Sequence, residues 1–128
     1  MMSVYGFYGA QLRFVAARTD RKSADISDMM EALEVFADQV ESAPTFEVRG
    51  DKCRITGRAL AGVAGFLQQH ILPETIAAGN PVAERQVRWV IDTSMSLTAT
   101  FTVHAETTAD EGPTACPVVL PVPPGADV

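Results

Sequence analysis

PVAERQVRWVIDTSMSLTATFTVHAE, residues 81–106, admits two readings, and the fold turns on which one holds. Asn80-Pro81 supplies a helix N-cap followed by proline at the first helical position, where a missing N–H costs nothing. From Pro81 to about Ile91 the stretch therefore reads as helix. Beyond it, Leu97, Ala99, Phe101, Val103 and Ala105 alternate with Thr98, Thr100, Thr102, His104 and Glu106. That period, with three β-branched threonines, predicts a strand at about 96–106 with one wet face. The competing reading runs one helix from Pro81 to Ala105, with Val87, Val90, Ile91, Met95, Thr98 and Phe101 as its stripe. The alternation favours the strand.

Working upstream, residues 24–42 are the clearest element. Ile26, Met29, Met30, Leu33, Phe36 and Val40 recur at spacings of three and four, the signature of one apolar helical face. Ser23 or Asp25 caps its start, and Ser42 and Pro44 end it. Residues 45–57, TFEVRGDKCRITG, put Phe46 and Val48 on one side and Cys53 and Ile55 on another, with Gly50-Asp51 at the bend. They predict a β-hairpin. Residues 58–79 return to helical spacing through Leu60, Val63, Ala64, Leu67 and Ile71. Gly62 and Gly65 leave room for a close neighbour, Pro73 kinks the helix and Gly79 stops it. Residues 3–17 fit a helix or a short strand over 10–17.

The expected fold is α+β: a small antiparallel sheet of hairpin 45–57 plus strand 96–106, with helices 24–42 and 58–79 packed on one face. A mainly helical domain with an inserted β-hairpin is the alternative. Residues 1–108 read as a single globular domain. Residues 109–128 hold five of the eight prolines and read as an extended tail, whose Val118, Val119 and Leu120 dock on the body of the same chain or on a neighbouring subunit. The order helix–hairpin–helix–strand is loosely similar to that of bacterial secretion chaperones, an analogy of size and order only.

Charge limits the partners. Ten Lys and Arg against sixteen Asp and Glu give a net charge of −6 over 128 residues, the opposite of what displaces counterions from nucleic acid or an anionic membrane. Neither partner is expected. The charge is also segregated: residues 23–47 hold seven acids and no base. Basic clusters flank them, Arg13, Arg18, Arg21 and Lys22 on one side and Arg49, Lys52, Arg54 and Arg58 on the other. Cys53 and Cys116 are too few for a disulfide framework and fit no zinc spacing, so no metal is expected. The opening MMSVYGFYGAQLR has no secretory pattern. A cytoplasmic setting with reduced thiols is the expectation; export by another route would allow a bridge.

Candidate sites are few. No glycine-rich phosphate loop, G-x-S-x-G elbow or H-E-x-x-H is present, and no cofactor is expected. Asp28, Glu31, Glu34, Asp38 and Glu41 lie opposite the apolar stripe of helix 24–42 with no base at i+4. They form a candidate interaction face, either for a basic partner or for the basic residues next in the chain. His104 and Glu106 share the wet face of the expected strand, as an acid–base or metal pair would. Two functional classes follow. The first is a non-catalytic interaction or adaptor module, acting as a homodimer or on another protein through the acidic face. The second is a small-molecule-binding domain or unconventional enzyme with a pocket near Trp89, His104 and Glu106.

Overall fold

Ser3, Ser23 and Asn80 each turn a side-chain oxygen onto the amide three residues ahead, and a helix begins at each. Ser3 Oγ accepts from Gly6 N at 3.0 Å, Ser23 Oγ from Ile26 N at 3.2 Å and Asn80 Oδ1 from Ala83 N at 3.1 Å. The helices are α1 (Val4–Arg18), α2 (Ala24–Ser42) and α5 (Pro81–Thr107). The computed structural model describes residues 3–42, 45–108 and 114–123. Pro44, Pro113 and Pro124, assigned above to a helix end and to the tail, lie outside them.

Between α2 and α5 the chain makes strand β1 (Thr45–Val48), a 3-10 turn (Gly50–Lys52), α3 (Cys53–Phe66), a π-helical turn (Leu67–Ile71) and α4 (Leu72–Ala77). Strand β2 (Cys116–Val119) returns antiparallel to β1, pairing Thr45 with Val119 and Val48 with Cys116. The protein is thus α+β in its mainly helical form, with a two-stranded antiparallel sheet among the described residues.

Two expected elements are corrected. Hairpin 45–57 does not form: β1 stops at Val48, and its partner comes from the proline-rich segment. The alternation over Cys53 and Ile55 is only two residues deep. Cys53, Thr56, Gly57, Leu60, Val63, Ala64 and Leu67 instead form one buried helical stripe that begins five residues before the expected start. Nor is 96–106 a strand; it is the second half of α5. Leu97 and Phe101 satisfy both periods, but Ala99 and Val103 on the supposed inner face are exposed. The helix accommodates the threonine hydroxyls, which bond carbonyls four residues back: Thr98 to Ser94, Thr100 to Ser96, Thr102 to Thr98 and Thr107 to Val103, at 2.7–3.0 Å. Of the competing stripe, Val87, Val90, Ile91 and Phe101 are buried, whereas Met95 is 51% exposed. With the strand gone, the layout loses its likeness to secretion chaperones.

Residues 10–17 are likewise helix. Pro73 widens the preceding turn, because it has no N–H for the carbonyl four residues back. Gly79 stops the helix with φ at 68°. Gly62 and Gly65 have no close neighbour: a Cβ at either would meet nothing within 4 Å.

Tyr8, Leu12, Leu33, Phe36, Leu60, Val63, Val90 and Phe101 fill the core between α1, α2, α3 and α5. Tyr8 crosses edge-to-face with Phe36 and Trp89, and Phe36 does the same with Phe46 and Phe101. Docking of the 118–120 run is seen: Val118 and Leu120 are buried in this core, and Val119 points outward. No helix among the described residues is long and apolar enough to cross a membrane.

Candidate functional site

The acidic face of α2 consists of two stripes with different fates. Glu34, Asp38 and Glu41 follow each other at spacings of four and three and meet bases from the first basic cluster. Arg13 on α1 bonds Glu41 (3.1 and 3.2 Å) and Asp38, and Arg21 bonds Glu34 at 2.7 Å. The Glu41 and Asp38 carboxylates raise the Arg13 guanidinium pKa further above its ordinary value. These pairs are solvent-exposed and contribute little stability, roughly 0–1 kcal/mol each. They tie α1 and the turn after it to α2, so that three of the five acids share two arginines.

Asp28 and Glu31 face the other way. With Ala32, Val35, Phe36 and Gln39 they form one wall of a groove whose volume is about 230 Å³. Residues 28, 31, 32, 35, 36 and 39 are a single stripe at helical spacing. Val48, Arg49, Lys52 and Thr56 make the opposite wall, where β1 passes through its turn into α3. Gln39 Nε2 donates to the Glu47 carbonyl at 2.8 Å, tying β1 to α2. Phe36, Val48 and Thr56 are buried and form the floor, while Val35 stands 60% exposed at the rim.

The groove therefore has an acidic wall, a basic wall and an apolar floor. Arg49 is partly occupied by Asp51 at 3.1 Å. Lys52, Asp28 and Glu31 form no ion pair among the described residues. Internal pairing was foreseen with the wrong partners. The bases that pair with α2 precede it in the chain, whereas Arg54 and Arg58 are exposed on α3.

The structure does not bring Trp89, His104 and Glu106 together. All three lie on α5, where fifteen residues separate Trp89 from His104 by about 22 Å of helix rise. Trp89 packs edge-on to Tyr5 and Tyr8, with its Nε1 buried and unpartnered. His104 and Glu106 point about 200° apart around the helix axis. His104 Nε2 sits 2.9 Å from the Thr114 carbonyl and 3.3 Å from its hydroxyl, tethering the chain just ahead of β2. Among the described residues no group of three His, Cys, Asp or Glu side chains is placed to hold a metal ion.

Sequence reasoning missed the groove, although two signals pointed to it. Val35 interrupts an otherwise acidic face, and Arg49 and Lys52 have the i, i+3 spacing of a helical turn rather than the alternation of a hairpin. No protein-family model, no curated protein and no solved structure matches this chain.

Proposed function

We propose that this protein is a non-catalytic binding module of the cytoplasm, and that its α2/β1–α3 groove takes a short segment of a partner protein. The segment carries one large apolar side chain flanked by a basic and an acidic group. The apolar side chain sits over Phe36 and Val48, the basic group meets Asp28 and Glu31, and the acidic group meets Lys52 and Arg49. The observation that supports this most is the division of the acids on α2. Those facing α1 are ion-paired within the chain, whereas those facing the groove are not.

Size favours a protein segment over a whole small molecule. Pockets that enclose such ligands run to roughly 300–1,000 Å³, and this groove, at about 230 Å³, suits one protruding side chain. Selection of random short peptides displayed on phage against the purified protein tests the reading. Enriched peptides are expected to combine an apolar residue with both charge signs. The double reversal Arg49→Glu/Lys52→Glu should weaken them about tenfold, and Val35→Glu should abolish binding. Peptides that bind all variants equally, or selection of no peptide, would refute it. Enrichment of this chain's own sequence would identify the partner as a second copy.

A further inference from the structure

We infer that α5 carries a self-association face: a second copy of this chain docks antiparallel on its outer side, the two helices crossing at Ala99. This face is separate from the α2 groove, which is lined by α2 and the turn from β1 into α3. α5 bears no Asp, Glu, Lys or Arg between Asp92 and Glu106, more than three turns of helix. Its outer side is nevertheless open to solvent there. Met95 and Val103 are 51% and 60% exposed, and Ala99 stands exposed between them, one turn from each. The hydroxyls of Thr100 and Thr102 already donate to carbonyls of their own helix. A neighbour that covers them therefore strands no donor.

Two observations identify the occupant as the chain itself. The first is charge. The molecule carries a net charge of −6, so two copies repel each other except where they meet through an uncharged surface. The second is a mirrored arrangement about Ala99. Met95 and Val103 lie four positions to either side, Ser96 and Thr102 three, and Asp92 and Glu106 seven, all of them exposed. In an antiparallel pair crossing at Ala99, Met95 and Ser96 of one copy stand level with Val103 and Thr102 of the other. The same contact recurs beyond the crossing, so one patch serves both copies, as a closed two-fold interface requires. The small Ala99 side chain at the centre lets the helix axes approach to about 8 Å. A partner of different sequence needs no such mirroring.

Extent and charge set the strength. Asp92 to Glu106 spans about 21 Å of helix, which places the contact at the small, transient end of the range, below about 1,200 Å² in total. At each end Asp92 stands level with Glu106 of the second copy, a like-charge pair. The dimer is therefore weak and tightens with added salt.

Sedimentation velocity of the full chain tests this, from about 10 μM to about 1 mM protein, at low salt and at about 0.5 M salt. The expected result is a monomer–dimer equilibrium that shifts with concentration and salt and stops at the dimer. Ala99→Arg, at an exposed site, should weaken association by about tenfold or more. Val82→Arg makes the same change in charge at the other end of α5, also at an exposed site, and should not weaken it. Glu106→Lys should tighten association about fivefold, because both end pairs turn from repulsion to attraction. A monomer at every concentration, assembly beyond the dimer, or a dimer indifferent to Ala99→Arg overturns the inference. So does equal weakening by Val82→Arg, or a Glu106→Lys variant that associates no more tightly than the wild type. The gain at Glu106→Lys decides even where Ala99→Arg fails to fold.

Discussion

Tyr8→Phe isolates one hydroxyl in the middle of the core. Tyr8 is fully buried, and its hydroxyl lies 2.8 Å from Ser94 Oγ, joining α1 to α5. Phenylalanine keeps the edge-to-face contacts with Phe36 and Trp89, at 6.3 and 5.5 Å between centroids, so the substitution removes the hydrogen bond alone. A buried neutral bond contributes about 0.5–1.5 kcal/mol net, and stranding its partner costs up to about 3 kcal/mol. Ser94 has an escape that Tyr8 lacks, since a helical serine can turn to the carbonyl four residues back as the threonines of α5 do. The expected loss is therefore about 1–2 kcal/mol, or roughly 4–8 °C in Tm for a chain of 128 residues. Ser94→Ala should cost more, because it strands the phenol, and the double variant should show about 1 kcal/mol of coupling.

The same hydroxyl predicts a pH signature. Burial pushes the Tyr8 pKa above its ordinary 10.0, partly offset by the bond to Ser94. The folded chain holds a proton that the unfolded chain releases. Stability from this group is thus fully present below pH 10 and is lost as pH rises beyond it. Urea unfolding of wild type and Tyr8→Phe from about pH 8 to pH 11 should show the wild-type advantage shrinking above about pH 10. A neutral Tyr8→Phe, additive effects in the double variant, or a pH-independent gap would refute the reasoning.

Two further outcomes follow from packing. Gly62→Ala should stabilise the protein by about 0.5–1 kcal/mol, because the added methyl meets nothing within 4 Å. Gly9→Ala should gain less, since its methyl would collide with the Glu41 side chain that holds Arg13; equal gains in thermal melts would contradict the α1–α2 packing. Val118→Ala should cost about 1–3 kcal/mol, and Val119→Ala, at a site 72% exposed, less than about 0.5 kcal/mol. The reverse ranking in denaturant midpoints would mean that β2 presents its other face to the core.

The features legible in the sequence were those fixed by neighbours. The stripe of α2, the Ser23 and Asn80 caps, proline at the start of α5 and the Gly79 stop are all local, and all are present. The errors fall where local pattern and tertiary context disagree. Thr98, Thr100 and Thr102 look like strand residues until their hydroxyls are counted as helix-compatible donors. β1 looked like half a hairpin because its true partner lies beyond α5. Residues 10–17 could not be decided until α1 had α2 to pack against. The acidic face was visible, but its division was not: Arg13 and Arg21 reach α2 from outside it, and only the folded chain shows that Asp28 and Glu31 are left for the groove.

The groove is the central claim, and amide chemical-shift mapping tests it most directly. A selected peptide titrated into isotope-labelled protein should shift the amides of Asp28, Glu31, Val35, Arg49 and Lys52 while leaving those of Gly62 and Glu106 in place. Shifts concentrated at β2 and the end of α5, or spread evenly over the helices, would contradict it.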